Sequence, residues 1–186
     1  NLEAILLVGI VQQIWGNNGE ALSYYNAVLQ RQNNNATALA YRGLIKALNG
    51  KLDSSMDDLN RALSIDSGLG IAYHHRGLVY RMLGDDDKAL DDFRISLKTV
   101  KQTSGDVHND VGLLCMNRND YETALEHFYE AVTLSPDNAD MINNRGLCLL
   151  QFGSVEAAME DFKLAIELEE DFLDARNNLG IVYERL

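Results

Sequence analysis

The sequence predicts an all-α chain built as a solenoid of tandem helix-turn-helix units, on three observations. A glycine returns at Gly9, Gly43, Gly77, Gly112, Gly146 and Gly180, in steps of 34, 34, 35, 34 and 34 residues. A fixed period of this length marks a stack of like supersecondary units, each burying its apolar side on its neighbour. Within each period, small and large side chains recur at spacings of four and three, the neighbours on one helix face. Glycine or asparagine then interrupts the period near its middle, as at the end of a helix.

Aligned on those glycines, the units run 2–35, 36–69, 70–103, 105–138 and 139–172, with a half unit over 173–186 and Ser104 as the single inserted residue. Counting Leu2 as place 1, the glycine holds place 8 of a first helix in every unit. That helix stops near place 15, at Gly16, Gly50, Gly84, Asn119 and Gly153, residues that accept a left-handed backbone. The second helix carries a small residue at place 20 (Ala21, Ser55, Ala89, Ala124, Ala158) and a large one at place 24 (Tyr25, Leu59, Phe93, Phe128, Phe162). A second small residue follows at place 27 (Val28, Ala62, Ser96, Ala131, Ala165), on the same face. Between units, Asn33-Asn34-Asn35, Asp66-Ser67-Gly68, Gln102 to Gly105 and Ser135-Pro136-Asp137 all have turn chemistry.

On these residues the chain resembles the tetratricopeptide repeat (TPR) family, whose 34-residue pattern runs W-x2-L-G-x2-Y, then A-x3-F, A and P. Gly146, Ala158, Phe162 and Ala165 carry the match, as do Gly112, Tyr121, Ala124, Phe128, Ala131 and Pro136, and five units agree in register. The resemblance covers essentially the whole chain and implies one domain over 1–186, a right-handed α-solenoid of five repeats plus one further helix. Place 4 departs from the pattern, being Ile5, Leu39, Tyr73, His108, Ile142 and Arg176 and never Trp. The chain starts at Asn1 without an initiator methionine and stops inside a first-type helix, which reads as part of a longer protein.

Composition narrows the function classes. With 46% hydrophobic and 24% charged residues the chain is ordinary for a globular protein. Its net charge of −12 argues against nucleic acid, whose backbone demands a lysine or arginine stripe. The apolar run from Ala4 to Val11 is too short to span a membrane and lacks the basic flank of a signal peptide. Cys115 and Cys148 occupy packed places without metal-ligand spacing, so free buried thiols in a reducing, cytoplasmic compartment are expected. Asn35-Ala36-Thr37 would be a glycosylation acceptor if the protein were secreted. No phosphate-binding loop, nucleophile elbow or metal cluster is legible, so neither enzyme activity nor a cofactor is expected. The nearest thing to a metal cluster is His74, His75 and His108 with Asp110 on neighbouring first helices.

Two patterns carry structural predictions. Place 7 is Arg42, Arg76 and Arg145 in the same units in which place 23 is Asp58, Asp92 and Asp161, and where the arginine is absent so is the aspartate. A partly buried guanidinium needs a carboxylate, so an ion pair between the two helices of one unit is expected. The first helix carries Ile5, Leu6, Leu7, Val8, Ile10, Val11 and Ile14, with almost no polar face. An upstream unit or a second copy of the chain should therefore cover Ile5, Leu6 and Ile10.

The family resemblance implies a groove on the concave side, lined by the first helices. There, place 9 gives an apolar row of Ile10, Leu44, Leu78, Leu113, Leu147 and Ile181. Place 5 becomes Asn109, Asn143 and Asn177, and place 6 adds Asn144 and Asn178. Rows of asparagine can pair with the backbone of an extended peptide, and they resemble the asparagine ladder of the repeats attached to the O-linked N-acetylglucosamine transferase. Helix capping or bonding between units is the competing explanation. Asp106, Asp140 and Asp174 at place 2 suit the helix dipole, and would favour a basic partner if they face the groove. The basic carboxylate clamp of the chaperone-binding members is absent, so no acidic chaperone tail is expected. These readings converge on a scaffold that binds a partner's peptide through Asn109, Leu113, Asn143, Asn144, Leu147, Asn177, Asn178 and Ile181. The alternatives are a substrate-recognition arm of a larger enzyme, and self-association through the first helix.

Overall fold

A computed structural model describes residues 1–99 and 105–185. Among them are eleven helices and no strand: α1 (Leu2–Ile14), α2 (Asn18–Arg31), α3 (Ala36–Leu48), α4 (Leu52–Ile65), α5 (Gly70–Met82), α6 (Asp86–Thr99), α7 (Gly105–Asn117), α8 (Tyr121–Leu134), α9 (Ala139–Phe152), α10 (Val155–Leu168) and α11 (Leu173–Arg185). Every odd-numbered helix begins on the residue that the repeat register names as place 1. The inserted Ser104 and the turn read over Gln102–Gly105 lie outside the described residues, apart from Gly105, which opens α7. The helices fall into two compact units, Asn1–Lys101 and Gln102–Leu186.

The first unit holds the hairpins α1–α2, α3–α4 and α5–α6. Its core joins Val28, Leu29, Leu39, Leu59, Ala62, Leu63 and Val79, with Ala21, Tyr25 and Ile45 as a second cluster. Place 8 brings the two helices of a hairpin together. A Cβ built on Gly77 would lie 2.5 Å from the Phe93 ring, so only glycine lets the place-24 side chain seat there. The two serines that replace alanine at small places are buried and satisfied, Ser55 donating to the Gly43 carbonyl at 2.7 Å and Ser96 to that of Gly70 at 2.9 Å.

Helix α1 corrects one expectation. Ile5, Leu6 and Ile10 are not the uncovered residues, because they pack half-buried against the unit's own two clusters. Helical geometry turns Leu7, Val8, Val11, Ile14 and the following Trp15 outward instead, with Ile14 76% and Trp15 69% exposed.

The second unit holds α7–α8, α9–α10 and α11. Phe128 and Phe162 are fully buried, and Ala139, Ile142, Ala165 and Ala175 form a further cluster with Val132, Ile166 and Phe172 against it. Asn138 caps α9 by accepting from the Met141 amide at 3.0 Å. The interhelical turns use left-handed backbone, φ 61° at Asn119 and 95° at Gly153, and the first unit does the same at Gly16, Gly50 and Gly84. Cys115 and Cys148 are both buried. Among the described residues no helix is long and apolar enough to cross a membrane.

Candidate functional site

Three buried carboxylates fix how the hairpins present their first helices. Arg42 grips Asp58 in a two-point fork, Nε to Oδ2 and Nη2 to Oδ1 both at 2.7 Å, and Lys46 adds a third contact at 2.7 Å. Arg76 holds Asp92 in the same way at 2.7 and 2.9 Å, and Arg145 holds Asp161 at 2.8 and 2.7 Å. Planar guanidinium matches carboxylate in this geometry, which lysine cannot reproduce. Burial pushes the Asp58 carboxyl up, but the hydrogen bonds and charges of Arg42 and Lys46 overcome this and hold it below the ordinary carboxylate value. The Asp161 hydrogen bond raises the Arg145 guanidinium, as Asp92 raises that of Arg76.

Each arginine also reaches back to the preceding repeat, a contact absent from the sequence reading. Arg42 Nη1 donates to Asn26 Oδ1 at 3.0 Å and Arg76 Nη1 to Asn60 Oδ1 at 2.8 Å, while the Arg145 guanidinium lies 5.0 Å over the Tyr129 ring. The signal was present: the partner stands sixteen residues before each arginine and the aspartate sixteen after it.

In the second unit α7, α9 and α11 carry the eight residues read from sequence as peptide-binding. Leu113 and Leu147 are half-buried and Ile181 is 44% exposed. The amides engage one another across repeats: Asn144 Nδ2 donates to Asn109 Oδ1 at 3.0 Å, and Asn178 Nδ2 to Asn143 Oδ1 at 2.9 Å. Each amide has four hydrogen-bonding places, and this bond uses one on either partner. Asn143 is only 5% exposed, so its visible role is to hold α11 against α9, whereas Asn177 is exposed. The first-turn carboxylates Asp106, Asp140 and Asp174 are exposed as well. Asp137, Asp140 and Glu169 line a surface cavity of about 440 Å³ with Leu134, Pro136 and Asn138.

The histidines pair differently from the sequence grouping. His75 is buried with Nδ1 at 3.0 Å from the Ala40 carbonyl, and burial, reinforced by the charge of His74, pushes it down to about 3. His108 meets His127, Nδ1 to Nδ1, at 3.0 Å. The described residues contain no group of three or more metal-ligating side chains.

A family model described as tetratricopeptide repeat matches residues 16–69 and 110–171, well over half of the chain. No curated protein matches the chain in sequence. Among solved structures, the APC/C hetero-tetramer Cut9–Hcn1 aligns over 100% of this chain with a TM-score of 0.84 and 19% identity; this chain spans only 37% of the matched one. TTC0263, a thermophilic TPR protein of Thermus thermophilus, aligns over 99% of this chain and 100% of its own with a TM-score of 0.79 and 15% identity. YrrB, described as a TPR protein with an unusual peptide-binding site, covers 100% of this chain and 93% of its own, with a TM-score of 0.65 and 19% identity. At these identities the likeness is one of fold.

Proposed function

This chain belongs to the tetratricopeptide repeat family, and from that membership we propose that it is a non-catalytic scaffold, residues 1–186 serving as one repeat array that holds a peptide segment of a partner protein. The observation that carries the reading is the row of Leu113, Leu147 and Ile181, incompletely buried although apolar, running beside asparagine amides on three successive first helices. Apolar anchors supply affinity and amides orient a peptide backbone. Peptide binding is also the property described for YrrB, whose fold is similar. The exposed Asp106, Asp140 and Asp174 favour lysine or arginine in the partner.

The test is an array of short peptides, basic-apolar and acidic-apolar, probed with the wild-type chain and with Ile181→Asp and Asn177→Ala. Both positions are exposed, so helicity should not change. Basic-apolar peptides should bind, and Ile181→Asp should weaken them by roughly tenfold or more. Equal binding by wild type and both variants would move the function off this face.

A second reading, self-association through α1, is favoured by the outward stripe of Leu7, Val11, Ile14 and Trp15. Light scattering over a concentration series distinguishes it: a dimer that Ile14→Glu returns to monomer supports self-association, and a wild-type monomer at high concentration ends it.

A further inference from the structure

We propose that His108 and His127 form a two-nitrogen chelate for a divalent transition-metal ion of the copper(II) class. The idea is independent of the peptide-binding reading. His108 stands on α7 and His127 on α8, the two helices of one hairpin, and both rings are half-buried. Their centroids lie 5.2 Å apart with 39° between planes, and the Nδ1 atoms face each other at 3.0 Å.

This hairpin departs from the ion-pair rule. His127 takes the place that Asp58, Asp92 and Asp161 hold elsewhere, and Val111 takes that of the arginine. The usual guanidinium–carboxylate fork is thus replaced by two imidazoles. Two imidazolium ions cannot make an Nδ1-to-Nδ1 hydrogen bond, because each would present a proton to the other. At least one ring is neutral and aims its lone pair at its partner.

The separation selects the metal. Two imidazole nitrogens bind one ion at about 2.0–2.1 Å each, so nitrogens 3.0 Å apart subtend roughly 95° at that ion. This is the cis angle of a square-planar or octahedral centre. A tetrahedral zinc ion would need the nitrogens about 3.3 Å apart. Copper(II) favours the tetragonal arrangement and heads the divalent affinity order. Replacing the shared proton by the ion keeps the nitrogens at their present distance, with each ring turning to direct its lone pair at the metal. The described residues place no third ligand of the His, Cys, Asp or Glu type beside them, so water completes the coordination. The other two histidines are poorer candidates, since His74 and His75 are buried and His75 Nδ1 faces the Ala40 carbonyl.

The experiment is a titration of the whole chain with copper(II) chloride in a non-chelating buffer at neutral pH, followed by calorimetry and electron paramagnetic resonance. One ion per chain with two imidazole nitrogens is expected. His108→Gln and His127→Gln should each weaken binding by roughly tenfold or more and leave one nitrogen, with helicity checked by circular dichroism. Absence of binding, or equal affinity in wild type and both variants, overturns the proposal. A readout on the unmodified chain guards against misfolded variants: substoichiometric copper should first broaden the ring-proton resonances of His108 and His127. Broadening that begins at His74, His75 or the N-terminus overturns it too.

Discussion

Asn178 and Asn143, thirty-five residues apart, are joined by one amide-to-amide hydrogen bond of 2.9 Å that ties α11 to α9. Because Asn143 is buried, Asn178→Ala would leave its carbonyl without this donor. The expected cost is about 1–3 kcal/mol, read as a lower midpoint in urea unfolding. An unchanged midpoint would show that the bond contributes nothing to stability, leaving ligand contact as the role of both residues.

The arginine forks should be the most sensitive polar contacts in the chain. Arg76→Leu strands the buried Asp92 carboxylate and is expected to destabilise by about 3–5 kcal/mol, whereas Arg76→Leu with Asp92→Leu should recover most of the loss. Denaturant unfolding of the two variants checks this. If single and double variants lose equally, packing of the long side chain matters and its charge does not.

Two glycines of the same register separate packing from helix propensity. At Gly77 an added methyl group meets the Phe93 ring, while at Gly180 nothing lies within 4 Å. Gly77→Ala is expected to cost about 1–3 kcal/mol by overpacking, and Gly180→Ala to be neutral or to stabilise by up to about 1 kcal/mol. Thermal unfolding of both variants tests the contrast, and equal shifts would contradict the close approach of Phe93.

His75 makes stability depend on pH in the mildly acidic range. It titrates near 6.5 unfolded but only near 3 folded, so between those values the unfolded chain binds the extra proton and stability falls as the pH falls. Its contribution is complete above 6.5, and moving from there to pH 4 should remove about 3 kcal/mol. His75→Phe should flatten this part of the profile in urea melts at several pH values. A profile of unaltered slope would place the acid sensitivity in a group other than His75, and not in Asp58, whose depressed carboxyl loses stabilisation only as the pH falls below the ordinary 3.8.

What was legible in the chain was whatever recurs. The place-8 glycines, the buried residues at places 20, 24 and 27 and the left-handed turn at Asn119 follow from a spacing repeated five times, and the aspartate sixteen residues after each arginine follows from co-occurrence. Less was legible where residue types change from unit to unit. The partner sixteen residues before the arginine is Asn26, Asn60 and then Tyr129, two amides and a ring, joined only by their ability to receive a guanidinium. The His108–His127 contact occurs once, so no periodicity announces it. On α1 composition showed that an apolar face was left over, but the helix rotation that selects Leu7 and Ile14 over Ile5 and Leu6 needed coordinates. Among the asparagines, the residue types marked the row, while the decision to bond one repeat to the next depends on side-chain direction.

The double grip of each arginine bears on how such arrays can be rearranged. A guanidinium that holds its own hairpin with one edge and tests the preceding one with the other makes neighbours non-interchangeable. Moving the α9–α10 hairpin behind a unit with neither an amide nor a ring at the matching position would keep the Asp161 fork and lose the Tyr129 contact. Repeat order in this protein is therefore written into side-chain chemistry as well as chain connectivity, and duplication or shuffling of its units should succeed only for pairs that satisfy the same grammar.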